Sequence, residues 1–353
     1  FELKDPGGAG PMNWLGYCTG KEGDYLLQFG EGEGVDGSHA MKITAAKDNE
    51  GSYVAYSIRR EVKPSTVYDL TFQGKYTGAD VAAFPLVRQY TASGAETTAA
   101  SSYIWLSGIA STDGGGTWNS YSADFSTSAD AAFIEIRFEV RAKTAGASFL
   151  FDNISYEELG SATDLSFDFE KGAGGRIPLN WTTYERREKP DRPGEYEEGG
   201  FGGYTVYKAD GASADGSAAA VLRKNGTEPV ELYFKSGVME AEPDTYYTFA
   251  YDAMIRDAKK NGLRIFIRQY KDSAGTNVDD DAQTYLWLTS AYAYGSFDWR
   301  ECGGSFRTAA DCRYLQLMFV MTGEEPSTVW LDNVSFTKTE EIEDVNLDFE
   351  YAA

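Results

Sequence analysis

At 353 residues the chain is longer than one domain usually is, and with 42% apolar and 14% aromatic residues it can fill two separate cores. A formal net charge of −23 repels phosphate backbones and anionic lipid, which argues against a nucleic-acid binder; a single histidine and three cysteines leave little for metal or histidine-dependent nucleophile chemistry. No stretch approaches the roughly 20 apolar residues that span a bilayer, and 38 Gly and 24 Tyr beside 6 Met point to strands and turns.

Read in chain order, the first half opens on Phe1-Glu2 and reaches a Pro-x-Asn-Trp segment at Pro11, Asn13 and Trp14. Cys18 follows with no match in the second half and reads as a free thiol. An Asp36-Gly37-Ser38 turn, Pro64 and Tyr68, then Arg88-Gln89-Tyr90 and Tyr103-Ile104-Trp105-Leu106 come next. Trp118 and Phe125 precede an apolar alternation over residues 133–140, and the half closes on Phe151-Asp152-Asn153-Ile154-Ser155.

All of this recurs in the second half in the same order. Phe169-Glu170, then Pro178, Asn180 and Trp181, then Asp215-Gly216-Ser217, repeat the opening. Pro243, Tyr247, Arg268-Gln269-Tyr270, Tyr285, Trp287, Leu288, Trp299, Phe306 and Leu331-Asp332-Asn333-Val334-Ser335 repeat the rest. One fold is therefore duplicated, with copies expected at residues 1–159 and 160–338 and linkers near 158–165 and 338–345. Asn346-Leu347-Asp348-Phe349-Glu350 resembles residues 165–170, so residues 339–353 read as a linker and the start of a third copy. Because the chain begins inside the motif, an export signal or anchor is expected to lie outside it.

Many short alternating runs separated by Gly, Ser, Asp and Asn, with no amphipathic helix of ordinary length, predict an all-β protein of two tandem β-sandwich jelly-roll domains. Successive side chains of a strand point to opposite faces, so Ile104 and Leu106 claim the core and leave Tyr103 and Trp105 outside. Leu286 and Leu288 do the same for Tyr285 and Trp287. By the same logic Arg88 and Tyr90, Arg268 and Tyr270, and Glu135, Arg137 and Gln316 lie on the outer face.

A sugar ring offers an apolar C–H face and a rim of hydroxyls. It therefore needs aromatic platforms beside planar hydrogen-bonding groups, and this face supplies both. The blander alternative is that these aromatics pack beneath a loop while Arg and Glu form a solvated cross-strand pair. Gln89 and Gln269 fall on the inward register, which for an amide means a strand end, a bulge or a buried hydrogen-bonded role. Trp14 and Trp181 sit in loops where recognition or packing are both open, and Trp118 and Trp299 are expected as core plugs.

Glu2 and Asp152 stand at the two ends of the first copy, as Glu170 and Asp332 do in the second. With the Asp36 and Asp215 turns they could hold one structural Ca²⁺ per module, unless the aspartates only form Asx-type turns. Cys302 and Cys312 are close enough in sequence to bridge neighbouring strands, or to remain free.

The opening Phe-Glu, Pro-x-Asn-Trp, Asp-Gly-Ser and closing Phe-Asp-Asn-Ile-Ser or Leu-Asp-Asn-Val-Ser resemble carbohydrate-binding modules of families 4, 9, 16 and 22. The resemblance implies a galactose-binding-like β-jelly roll with a structural Ca²⁺ near the joined termini, its carboxylates mapping onto Glu2, Asp152, Glu170 and Asp332. It also implies ligand contacts at Trp14, Gln89, Trp105 and their second-copy counterparts. It further implies a secreted or cell-surface, bacterial-type protein that binds plant cell-wall β-glycan such as glucan, xylan or mannan, beside an attached glycoside hydrolase and further modules of the same chain. Arg88, Arg268, Arg137 and Arg141 are more cationic than a neutral glycan requires, which leaves room for a uronate.

A jelly-roll glycosidase or lyase is the alternative. Against it, Glu135 and Glu139 have Gln316 and Val320 as counterparts, so no outer-face carboxylate pair recurs, and His39 has Ala218. A ligand-free spacer or adhesin module is the third reading.

Overall fold

The computed structural model describes residues 3–48, 51–98, 102–106, 116–258, 262–323 and 325–339, with the backbone alone at 109–110. Glu2 and the third-copy segment 340–353 lie outside the described residues. The chain divides into two compact units, Phe1–Ala162 and Thr163–Ala353.

Unit 1 carries twelve strands: β1 (Trp14–Cys18), β2 (Tyr25–Gly30), β3 (Ala40–Ala45), β4 (Tyr53–Ser57), β5 (Arg60–Glu61), β6 (Thr66–Thr77), β7 (Val81–Tyr90), β8 (Tyr103–Trp105), β9 (Ile109–Ala110), β10 (Asn119–Ser126), β11 (Phe133–Ala142) and β12 (Ser148–Ser161). A front sheet runs β1-β4-β11-β7-β8, with β5 on β11 and β9 on β7, and a back sheet runs β10-β6-β12-β3-β2. Alternation sends Ile134, Ile136 and Phe138 of the front sheet against Leu70, Phe72, Phe149 and Phe151 of the back sheet, all buried. Phe138 and Phe151 meet with ring centroids 4.2 Å apart. Tyr25 of the back sheet crosses the core to accept the Ala142 N–H at 2.9 Å, which ties the two layers together.

Unit 2 repeats the plan in β13 (Thr182–Lys189), β14 (Arg192–Gly199), β15 (Tyr204–Ala209), β16 (Ala219–Lys224), β17 (Val230–Lys235), β18 (Met239–Glu240), β19 (Tyr246–Arg256), β20 (Gly262–Tyr270), β21 (Tyr285–Trp287), β22 (Ala293–Tyr294), β23 (Phe297–Arg307), β24 (Tyr314–Thr322) and β25 (Ser327–Thr339). Its front sheet is β14-β13-β17-β24-β20-β21 and its back sheet β15-β16-β25-β19-β23. The α-helix α1 (Asp281–Thr284) is a single turn capped by the Asp280 carboxylate. The protein is thus two jelly-roll β-sandwiches, as the duplicated sequence predicts.

The units differ at one edge. Between the Trp14/Trp181 and Asp36/Asp215 matches the second copy gains residues, and these form the β13–β14 hairpin, so β14 rather than β13 ends the sheet. In unit 1 the five-residue β1 is itself the edge.

One open alternative is decided and two expectations are corrected. Cys302 and Cys312 are free thiols: Cys302 lies on β23 of the back sheet, whereas Cys312 precedes β24 of the front sheet, so two neighbouring strands are not what they join. Trp118, just before β10, and Trp299, on β23, are half-buried rather than core plugs, with Lys75 above the Trp118 ring at 6.0 Å. Trp181 is a core residue, only 4% exposed and stacked on Phe234 at 4.4 Å.

Candidate functional site

In both units the candidate surface is the outer face of the front sheet, and strand register fixes who stands beside whom. In unit 1 one row crosses the sheet as Leu15, Tyr56, Arg137, Leu86 and Trp105, and a second as Glu135, Arg88 and Tyr103. In unit 2 the corresponding rows are Thr182, Lys235, Met318, Phe266 and Trp287, and Gln316, Arg268 and Tyr285.

Trp105 and Tyr103 are 57% and 40% exposed, Trp287 and Tyr285 48% and 41%, while Ile104 and Leu286 between them pack into the cores. A three-residue edge strand therefore presents the same aromatic pair twice. Beside it, Arg88 lies 4.9 Å from the Tyr103 ring centre and 5.4 Å from that of Tyr90. Arg268 lies 5.1 Å from Tyr285 and 5.0 Å from Tyr270. A guanidinium lodged between two π faces keeps its plane and direction, which is what recognition of a ring hydroxyl or carboxylate needs.

The remaining polar residues of the face are spent on one another. In unit 1 Arg137 is buried, donates through Nε to Glu135 at 3.1 Å and through Nη2 to the Tyr90 hydroxyl at 3.3 Å, and sits over Tyr56. Burial opposes its charge, yet the Glu135 carboxylate holds it above the ordinary guanidinium range. Burial first, and Glu135 second, push the Tyr90 hydroxyl up. Glu135 and Arg137 thus form an internal pair beneath the surface rather than open ligand contacts. Tyr90 and Tyr270 likewise lie buried beneath their arginines as supports. The Tyr270 hydroxyl donates to Gln316 Oε1 at 3.0 Å, and Gln316 Nε2 donates to the Ser236 carbonyl at 2.8 Å.

Gln89 and Gln269 are corrected from ligand contacts to buried braces. Gln89 Oε1 accepts the Ser128 N–H at 2.8 Å. Gln269 accepts from Ala309 N at 2.8 Å and donates to the Gln283 carbonyl at 2.7 Å. Each pins a loop that would otherwise leave a buried backbone group unpaired. Trp14 and Trp181 also leave the ligand face, since both turn inward. Asn13 and Asn180 at φ 66° and 61° swing the following residue toward the interior, where Trp14 meets Phe138 at 6.0 Å. Trp181 is further covered by Phe167 and Phe169, whereas Trp14 is only half-buried and borders a cavity of about 630 Å³ with Arg60, Asn153 and Tyr156.

Beside Phe266 and Met318, which strand alternation places on the outer face, the structure adds Tyr184, Tyr233 and Val320. In unit 2, Tyr233, Phe266, Met318 and Val320 form an apolar cluster on the outer face, with Tyr184 stacked on Tyr233 at 4.6 Å and Trp287 4.7 Å from Phe266. Burial pushes the Tyr184 hydroxyl up to about 12. Tyr233, Phe266, Met318 and Val320 are at most 4% exposed, so they form a small second core beneath the exposed Trp287 rather than an open platform. Their period-2 placement in 182–189 and 230–235 was the available signal. Beside the added hairpin a groove of about 930 Å³ is lined by Arg186, Tyr196 and Phe201 among others, and its cations pair locally, Arg187 with Glu197 at 2.7 Å and Lys189 with Glu195 at 2.9 Å.

The expected metal ligands separate by unit. In unit 1 Asp152 accepts from Val35 N, Ser38 Oγ and Asn153 N at 2.7–2.8 Å, and Asp36 points its side chain to solvent. In unit 2 Asp332 accepts only Asn333 N at 2.7 Å and, at 3.4 Å, Ser217 Oγ; burial first, and the charge of Asp215, push it up to about 6. Asp215 is held down at about 2 by the Ser213 and Ser217 hydroxyls, and Glu170 accepts the Ala218 N–H at 2.6 Å. Among the described residues no group of three or more acidic, His or Cys side chains is close enough to hold a metal by itself.

No family model and no curated protein matches the chain. Solved structures do. The tandem CBM22-1–CBM22-2 domain of Xyn10C from Paenibacillus barcinonensis is matched over 96% of this chain and 96% of that one, at 13% identity and a TM-score of 0.38. TmCBM61, solved in complex with β-1,4-galactotriose, is matched over 44% of this chain and 97% of that one, at 14% identity and a TM-score of 0.31. The C-terminal family 22 carbohydrate-binding module of Xyn10B from Clostridium thermocellum is matched over 43% and 89%, at 14% identity and 0.30. The chain is similar to these modules.

Proposed function

We propose that both units bind polysaccharide without chemistry, each laying a sugar against its exposed Tyr–Trp pair with the neighbouring arginine bonding the ring substituents. The observation that carries this reading is the recurrence of Tyr103, Trp105 and Arg88 as Tyr285, Trp287 and Arg268 on the same open face. Two such faces on one chain raise avidity for a repeating polymer through effective concentration. Plant cell-wall β-glycan is the expected ligand, and an extracellular parent chain with further modules and a glycoside hydrolase is the setting such an accessory serves.

The glycosidase alternative has less behind it. Hydrolysis needs two available carboxyl groups across the scissile bond. In unit 1 Glu135 is engaged by Arg137 and Glu139 by Arg141, and in unit 2 Gln316 and Val320 stand in their places.

We also infer a calcium ion in unit 2, held by Asp215 and Asp332 with backbone carbonyls, where it would neutralise the two like charges. Calcium should raise the melting temperature of the unit 2 transition and chelator should reverse it; a shift confined to unit 1 would defeat this assignment.

Affinity electrophoresis against a panel of soluble polysaccharides tests the main reading. Retardation without product formation supports it, release of reducing ends supports a glycosidase, and indifference to every glycan supports a spacer.

A further inference from the structure

The two faces treat their charges differently. In unit 1 each outer-face arginine has an acidic partner: Arg88 pairs with Glu96, Arg137 with Glu135, Arg141 with Glu139 at 2.9 Å, and Arg59 approaches Glu135 at 3.8 Å. In unit 2 those carboxylates are gone. Asn277 takes the role of Glu96, its Oδ1 accepting from Arg268 at 3.1 Å, and Gln316 and Val320 replace Glu135 and Glu139. Meanwhile two new cations join the face: Lys235 stands where unit 1 has Tyr56, and Arg264 where it has Phe84.

Among the described residues neither Lys235, Arg264 nor Arg268 has an ion-pair partner, and Arg268 Nε is a buried donor with no acceptor. The acidic groups on or beside this surface include Glu231, which Arg186 engages at 3.4 Å, the exposed Glu198 of β14, and the exposed Glu240 of β18 opposite Tyr314. On a chain of net charge −23, three unpaired cations on one sheet face run against the overall balance. Arg264 and Arg268 flank Phe266, which is buried against the exposed Trp287, so a ring lying on that indole would have its substituents within reach of positive charge. Anionic polymer is repelled by the rest of the chain, and only a local excess of cation can reverse that.

Building on the glycan-binding reading above, we infer that the unit 2 face selects a polysaccharide carrying uronic acid, its carboxylate taken by Arg268 with Lys235 and Arg264, whereas the unit 1 face takes neutral sugar. Arg268 suits the task because its stacked guanidinium offers paired N–H groups to a carboxylate.

The test uses the full chain and two pairs of polymers, glucuronoxylan and polygalacturonan, each beside its carboxyl-reduced form. The Trp105→Ala chain, which keeps the unit 2 face, should bind a uronate polymer about tenfold more tightly than the reduced one, with the gap closing as salt rises. The Trp287→Ala chain should show no gap. Asn277→Glu, introduced beside Trp105→Ala, should bring the ratio of affinities toward one, and so should Lys235→Gln with Arg264→Gln. Equal retardation of the Trp105→Ala chain by both members of each pair, or a gap untouched by these substitutions, would overturn the charge assignment and leave the face a glycan site. Indifference of the unaltered chain to these and to neutral glycans would overturn the glycan reading itself and this one with it.

Discussion

Laid strand on strand, the two units agree where side chains point inward and disagree where they point outward. Phe138 and Phe319, or Leu70 and Phe249, fill the same interior, but Arg137 faces Met318 across the comparison and Tyr56 faces Lys235. A packed interior tolerates few volumes, whereas an open face accepts any residue that water or a neighbour can satisfy. Against that freedom, the retention of Trp, Tyr and Arg on the outer face of both copies is the informative exception. Packing does not require it, so the ligand reading explains it better than the fold does.

The largest test of this contrast is Trp181→Ala, which should cost unit 2 about 3–5 kcal/mol in denaturant unfolding. Trp14→Ala should cost unit 1 less, because its indole is half-buried where that of Trp181 is only 4% exposed. Equal losses would break the claim that burial makes the difference. Gln89→Leu and Gln269→Leu should each destabilise their unit by about 1–3 kcal/mol by leaving buried backbone groups unpaired. Parallel values would sharpen the agreement of the interiors.

Trp105→Ala and Trp287→Ala should each weaken glycan retention by about 1–3 kcal/mol while their unfolding curves stay in place. Unfolding of either variant would return these indoles to the interior. The smallest effect is on pH. Asp332 titrates near 3.8 when unfolded and about 6 when folded, so the native state keeps a proton that the unfolded chain releases between those values. In chelator, which keeps calcium from this carboxylate, unit 2 should therefore lose stability as pH rises from 3.8 to about 6 and level off above, a slope that Asp332→Asn removes and that calorimetric melting can follow.

Much of this was legible in the residues. The repeat fixed two domains of one fold, and period-2 alternation put Tyr103 and Trp105 outside and Ile104 inside. What escaped was partnership. Alternation tells which face a side chain joins, not whether Glu135 lies within reach of Arg137 or whether Asn277 stands where the first copy has Glu96. Gln89 and Gln269 were on the inward register from the start, and the register deserved more weight than the resemblance that named them as contacts. Trp14 and Trp181 were obscured by a turn at Asn13 and Asn180, whose left-handed backbone breaks the alternation one residue before the indole.

The hairpin that caps one edge of unit 2 has a bearing on how such a chain assembles. Duplicated domains risk exchanging strands with their twins while folding, because each presents edges that its neighbour's segments could match. Here the first copy ends in the short β1, and the second ends in β14, whose charged alternation at Glu195 and Glu197 has no counterpart in the first. Unlike borders of this kind make a swapped pairing incomplete and poorly matched in charge, so each half is steered to close upon itself.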